Sequence, residues 1–161
     1  IYFAQGNYPE ALRQLGLVLP GGREPTFRDF EWVNMYAESY LNTGRHAGAL
    51  QWVQKGLALL KEESPEKRLQ LLLVKGRCHQ KLSQSVEAIK CFEEALGLVQ
   101  GEDLKEQLNY ELSNLYLQTG EKEKAVQKLS QILGSSNPFW QAAAQQQIDY
   151  LQLKEKGLQL F

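Results

Sequence analysis

The chain has 161 residues, 43% of them apolar, and its 18 basic and 19 acidic residues leave a formal net charge of -1. That balance offers no basic field to hold a nucleic acid or an anionic membrane surface. No run approaches the roughly 18 apolar residues that a membrane span needs, and the length suffices for one domain with a continuous core.

Residues 1–3 read as the end of a helix whose start is missing, and there is no initiating Met. A segment of a longer protein is therefore expected, with any targeting signal outside it. Asn7 can cap a helix over 7–19, with Pro9 tolerated in its first turn and Glu10 complementing its dipole. Pro20-Gly21-Gly22 stops it, and 21–25 is the most loop-like stretch. Thr26 followed by Asp29 resembles a capping box and opens a helix to about 43, partnered by one over 45–62. Ser64-Pro65-Glu66 is a strong start signal, a cap followed by proline at the first helical position. That helix continues to Leu82, and its partner spans 85–100. Gly101-Glu102-Asp103 starts a helix that carries Leu112 and Tyr116 on one face. After Thr119-Gly120-Glu121 comes another, with Ala125, Leu129 and Ile132 on one face. Asn137-Pro138 begins a last helix of up to about 23 residues, near 35 Å if unbroken. Its apolar stripe is Phe139, Trp140, Ala143, Ala144, Ile148 and Leu151, with glutamines around it, as suits the cap of a stacked array.

A helical hairpin cannot bury its apolar face alone, so recurrence is the next question. Aligned on the turn, Gly6, Gly44, Ser83 and Gly120 lie 38, 39 and 37 residues apart. Five residues after each comes Ala11, Ala49, Ala88 or Ala125, and nine after each comes Leu15, Val53, Phe92 or Leu129. Four before each sits a ring: Phe3, Tyr40, His79 or Tyr116. Seven before, in the three complete copies, is a small residue: Ala37, Gly76 or Ser113. Tyr40, Phe92, Tyr116 and Leu129 are expected in the core.

This pattern resembles the tetratricopeptide repeat, a hairpin whose hallmark is small, aromatic, turn glycine, alanine, large apolar and small, in that order. The resemblance implies an all-α fold: a right-handed superhelical solenoid of antiparallel hairpins with a C-terminal capping helix. It covers nearly the whole chain, as a single solenoid segment with a partial repeat at 1–25, repeats at 26–63, 64–101 and 102–136, and the cap at 137–161. The family repeat is 34 residues, so these copies carry a few extra. Lys75 stands where a core leucine is expected, Asn109 where a large apolar residue is, and Ser83 replaces the turn glycine. The wording of 137–143 also looks like the closing helix of some bacterial envelope-associated repeat proteins, which leans the localisation towards a bacterial envelope, with the cytoplasm as alternative.

Chemistry is sparse. His46 follows a turn, and His79 falls in the ring column, where core filler is the expected role. Cys78 and Cys91 flank the Ser83 turn at nearly equal distances. They are expected to be packing groups, reduced and unpaired, over the alternative of a disulfide with its demanding geometry. No zinc spacing, nucleophile elbow or phosphate-cradling loop occurs. Neither catalysis nor a cofactor or metal is expected.

In the family that the chain resembles, the first helix of each hairpin lines a concave groove that takes an extended peptide or a partner helix. The positions left over after core assignment give Asn34, Glu38, Leu73, Arg77, Lys81, Tyr110 and Asn114 as the expected groove residues. Arg77 can pair a carboxylate bidentately, Asn34 and Asn114 can bond a peptide backbone, and Tyr110 offers an amphipathic platform. Some family members grip a chaperone's terminal carboxylates with a lysine and an asparagine. The matching places here hold Asn34 and Glu38, and Glu38 would repel a carboxylate. The expected role is a protein-interaction scaffold within a larger assembly, with a protein or peptide partner, no nucleic acid and no membrane insertion by this segment. The alternatives are a structural spacer or dimerisation segment, and a regulatory repeat domain of a larger enzyme. The oligomeric state is left open.

Overall fold

Each of the four turn residues found by alignment takes a left-handed backbone: φ is +71° at Gly6, +75° at Gly44, +58° at Ser83 and +82° at Gly120. A helix ends there in one repeated way, the amide after the turn residue reaching back five residues to a carbonyl. Asn7 N donates to Tyr2 O (3.0 Å), Arg45 N to Tyr40 O (2.8 Å), Gln84 N to His79 O (2.9 Å) and Glu121 N to Tyr116 O (2.8 Å). Ser83 is the non-glycine residue with positive φ among the described residues, and its Cβ is strained in that region. Ser83→Gly is therefore expected to stabilise the protein by about 0.5–1 kcal/mol, the relieved strain less glycine's larger unfolded-state entropy. Urea melts would measure it; a destabilised variant would contradict the strain.

The computed structural model describes residues 2–18, 24–60, 64–155 and 157. Its helices are α1 (Tyr8–Val18), α2 (Phe30–Asn42), α3 (His46–Leu59), α4 (Pro65–Lys81), α5 (Ser85–Leu96), α6 (Glu102–Gln118), α7 (Lys122–Leu133) and α8 (Pro138–Glu155). There is no strand among the described residues. The start signals act as read. Asn7 Oδ1 accepts from Glu10 N at 3.4 Å, and Thr26 N donates to Asp29 Oδ2 at 2.8 Å. The latter box opens a 3-10 turn, Phe27–Asp29, that runs into α2. Pro65 opens α4. Helix α5 stops at Leu96 rather than near 100, because Gly97 and Leu98 tighten the end, Leu98 N donating to Ala95 O at 2.9 Å. Helix α8 reaches Glu155 and Gly157 turns left-handed. The expected endings near 19, 62 and 160 lie outside the described residues.

The chain divides into two compact units, the first ending at Leu98 and the second beginning at Val99. The first holds α1 to α5, where α2 pairs with α3 and α4 with α5, and α3 and α2 both pack on α4. The second holds the α6/α7 hairpin, with α8 packed on α7 and, less extensively, on α6.

The small and large columns are the cores of these units. Ala49, Ala88 and Ala125 are fully buried, as are Phe92 and Leu129, and Ala37 and Ser113 face them from the first helices. At Gly76 the reason for a missing side chain is visible: an added Cβ would lie 2.4 Å from the Phe92 ring. Tyr36 stacks on Trp52 at 4.2 Å between ring centres, joining α2 to α3.

The ring column departs from expectation. Tyr116 is buried, but Phe3, Tyr40 and His79 are only half-buried. Tyr40 packs against the edge of the core without being enclosed by it, as suits a ring with a polar end. Tyr40 lies against Gly48, where an added Cβ would meet its ring at 2.6 Å. His79 Nδ1 bonds Gln84 Oε1 at 2.7 Å.

Cys78 and Cys91 are buried and free. Burial pushes the Cys78 thiol up from 9.0 to about 11, with Cys91 adding to the rise, and burial likewise raises Cys91. A raised thiol favours the fold while it stays protonated. Its contribution is complete below pH 9 and is lost as the pH rises through about 11. Both thiols are expected to resist a disulfide reagent in the native protein near neutral pH and to react on unfolding; rapid native reaction would contradict their burial.

Candidate partner-binding faces

Helices α2 and α4 carry the expected groove residues of the first unit. On α4, Arg77 and Lys81 are exposed and Leu73 is half-buried. The helical step places 73, 77 and 80/81 on one side. The interior of α4, Leu71, Leu72, Val74 and Cys78, is buried, so an apolar core fixes the direction in which the two cations project. Neither Arg77 nor Lys81 makes an ion pair among the described residues. On α2, Glu38 accepts from Asn34 Nδ2 at 3.1 Å.

Asn34 does not stand where the sequence reading put it. It is 8% exposed, its amide nitrogen is engaged by Glu38, and its Oδ1 has no partner. The residue falls on the boundary of the buried stripe that runs through Val33 and Ala37, so it belongs to the helix packing and is not exposed to a peptide backbone. Glu38 is half-buried beside it.

In the second unit, Tyr110 and Asn114 are half-buried on α6. Tyr110 rests against Trp140 of α8, ring centres 5.9 Å apart, which orients it as a rigid platform. Glu111 is occupied within its own helix, accepting from Gln107 Nε2 at 3.0 Å. At the α6/α7 turn, hydrogen bonds from Lys124 and Thr119 hold the Glu121 carboxyl below its ordinary range.

Helix α8 corrects a second expectation. Ala144, Ile148 and Leu151 pack inward with Leu129 and Ile132, but Phe139 is 69% exposed. Asn137 Oδ1 caps the helix at Phe139 N (3.0 Å), which places Trp140 inward and turns Phe139 out in the first turn. Tyr150 is exposed as well.

Among the described residues, no three or more His, Cys, Asp or Glu side chains gather to hold a metal ion, and no helix is long and apolar enough to cross a membrane.

Comparison with known proteins agrees with this architecture. The family described as "Tetratricopeptide repeat protein 21 ARM repeat" matches residues 35–156, and the family described as "Tetratricopeptide repeat" matches residues 1–66. No match was found among curated protein sequences. Two solved structures, titled "Crystal structure of MamA" and "Crystal structure of MamA protein", superpose with TM-scores of 0.72 and 0.71, each at 22% identity. Each covers 98% of this chain, which spans 83% and 78% of theirs. At that identity the likeness is one of fold: stacked helical hairpins of the tetratricopeptide-repeat type. Turn geometry, buried columns and sequence match agree, and the chain belongs to the tetratricopeptide-repeat family.

Proposed function

We propose that this chain is a protein-interaction scaffold, taking an acidic or carboxylate-bearing segment of a partner on the first helices of its hairpins. Tetratricopeptide repeats mediate protein–protein interaction in general. The observation that carries the finer reading is the pair Arg77 and Lys81, both exposed on α4 and without an ion pair among the described residues, while Glu38 is hydrogen-bonded to Asn34. Arginine is among the residue types that most often concentrate binding energy at an interface. Its planar fork lets Arg77 select a carboxylate. In the second unit, Tyr110 and Asn114 supply a ring and an amide to the same kind of face. The resemblance of 137–143 to closing helices of bacterial envelope-associated repeat proteins is the ground for placing the assembly at an envelope.

A peptide array varied in charge tests this reading. Acidic peptides are expected to be retained, and Arg77→Ala with Lys81→Ala should weaken binding about tenfold or more, near 1.4 kcal/mol. Lys90→Ala, an exposed change on α5, should leave it within twofold. Equal retention of basic peptides would overturn the proposal.

The second reading, a spacer or dimerisation segment that works through its ends, is favoured by a separate observation. Tyr2, Leu17 and Trp32 are exposed in the first unit, around a cleft of ≈ 350 Å³, and Phe139 and Tyr150 are exposed on α8. Large exposed apolar groups of this kind mark association surfaces. Concentration-dependent sedimentation that Leu17→Glu or Phe139→Glu abolishes would favour it.

A further inference from the structure

In the α6/α7 hairpin, two polar residues occupy places that the other copies fill with apolar ones. Glu106 lies fourteen residues before the turn residue Gly120 and Asn109 eleven before it. The same places hold Phe30 and Leu69, then Val33 and Leu72, in the two preceding copies. Phe30, Val33 and Leu72 are buried core. So are the polar replacements: Glu106 is 5% exposed and Asn109 3%. Glu106 Oε2 and Asn109 Oδ1 have no hydrogen-bond partner among the described residues. Both residues line a cleft of ≈ 450 Å³ between the first two turns of α6 and the end of α7, together with Glu102, Lys105, Gln131 and Ser135.

We propose that this cleft receives an arginine side chain from a protein partner. The chemistry of the missing group follows from the two orphans. An ionised carboxylate and an amide oxygen only accept hydrogen bonds, so the absent partner is a donor. A buried carboxylate with no counter-charge costs several kcal/mol, so a donor that is also a cation satisfies more than a water does. The local charges do not supply it. Lys105, at the same cleft, pairs with Glu102 at 3.4 Å and with neither orphan oxygen. The two acceptors belong to residues three apart on α6 and so to one side of the helix, where a planar guanidinium can offer each a separate N–H group, whereas an ammonium is a point donor.

The cleft is also built to keep its shape. Gln141 Nε2 donates to Ser135 O at 2.6 Å and Leu133 O at 3.4 Å. Asn137 N donates to Ser135 Oγ at 2.8 Å, and Asn137 Nδ2 reaches Asp103 Oδ1 at 3.3 Å. The start of α8 thus fastens the end of α7 to the start of α6, and a fixed wall lowers the cost of ordering on binding. This site does not depend on the α4 face described above.

The test is an NMR titration of the chain with N-acetyl-arginine amide, with the neutral isostere N-acetyl-citrulline amide as the second probe. Saturable amide shifts are expected within 102–109 and 131–135, with citrulline at least about tenfold weaker. Glu106→Gln, which keeps the shape and removes the charge, should weaken the arginine probe by a similar factor. Citrulline binding as well as arginine, an undiminished response in Glu106→Gln, shifts centred elsewhere, or no response at about 100 mM probe would each overturn the proposal. The citrulline arm uses the unaltered protein, so it decides the matter even if the variant does not fold.

Discussion

Phe92→Ala is expected to destabilise the first unit by about 3–5 kcal/mol. The ring is fully buried on α5, and it fills the hollow left by a glycine on the paired helix α4. Truncation removes the transfer energy of the ring and leaves a cavity that the flanking helices cannot close without losing their other contacts. The converse change, Gly76→Ala, pushes a methyl group to within 2.4 Å of the same ring and should cost about 1–3 kcal/mol as overpacking. Because the two changes act on one contact, they should not add. In the Phe92→Ala background, Gly76→Ala is expected to be close to neutral or favourable, a coupling of roughly 1–3 kcal/mol. Chemical denaturation of the four proteins gives the cycle, and additive costs would mean that the glycine and the ring are not each other's reason.

Tyr116→Ala should have a similar effect in the second unit, about 3–5 kcal/mol. Tyr116 is 6% exposed and stands in the ring column beside the fully buried Ala125 and Leu129 columns of α7. Lys124 lies over its ring at 5.3 Å. The comparison with Tyr40 sharpens the claim. Tyr40 occupies the same column but is half-buried and rests on Gly48 at the turn. Tyr40→Ala should therefore cost less, roughly 1–3 kcal/mol. A loss below about 1 kcal/mol for Tyr116→Ala, or a larger loss for Tyr40→Ala, would contradict the packing described.

The contrast between those two tyrosines shows where sequence reasoning reached and where it stopped. Turn positions were legible because glycine alone sits easily at positive φ, and Ser83 holds the one non-glycine copy under strain. The recurrence at Gly6, Gly44, Ser83 and Gly120 therefore registers every copy at once. The alanine and large-apolar columns were legible for a related reason, since close helix approach requires small residues facing large ones. The depth of each ring was not, because burial depends on what the adjoining helix leaves open: Gly48 gives Tyr40 a shelf at the edge, whereas Tyr116 is taken into the core. Phe139 was misplaced because Asn137 sets the start of α8 and so decides which of two adjacent aromatics faces inward.

The candidate site was less legible. Arg77 and Lys81 were found by subtraction from the core, and they do project outward. Subtraction failed at Asn34, which lies on the edge of the buried stripe where a polar residue looks like surface in a sequence. Glu106 escaped for the opposite reason. Only comparison of its column with Phe30 and Leu69 reveals that a carboxylate stands in a core position.

The account holds that partners are engaged by the first helices of the hairpins. Site-specific photo-crosslinking measures this most directly. A photoreactive side chain is placed in turn at Leu73 and Asn114 on first helices, at Lys90 and Gln127 on second helices, and at Leu17 on α1 and Tyr150 on α8 among the exposed apolar groups. In the presence of the native partner, covalent adducts are predicted from Leu73 and Asn114, lost when Arg77→Ala and Lys81→Ala are added. Adducts from Lys90 and Gln127, or from Leu17 and Tyr150, with none from Leu73 and Asn114, would contradict it.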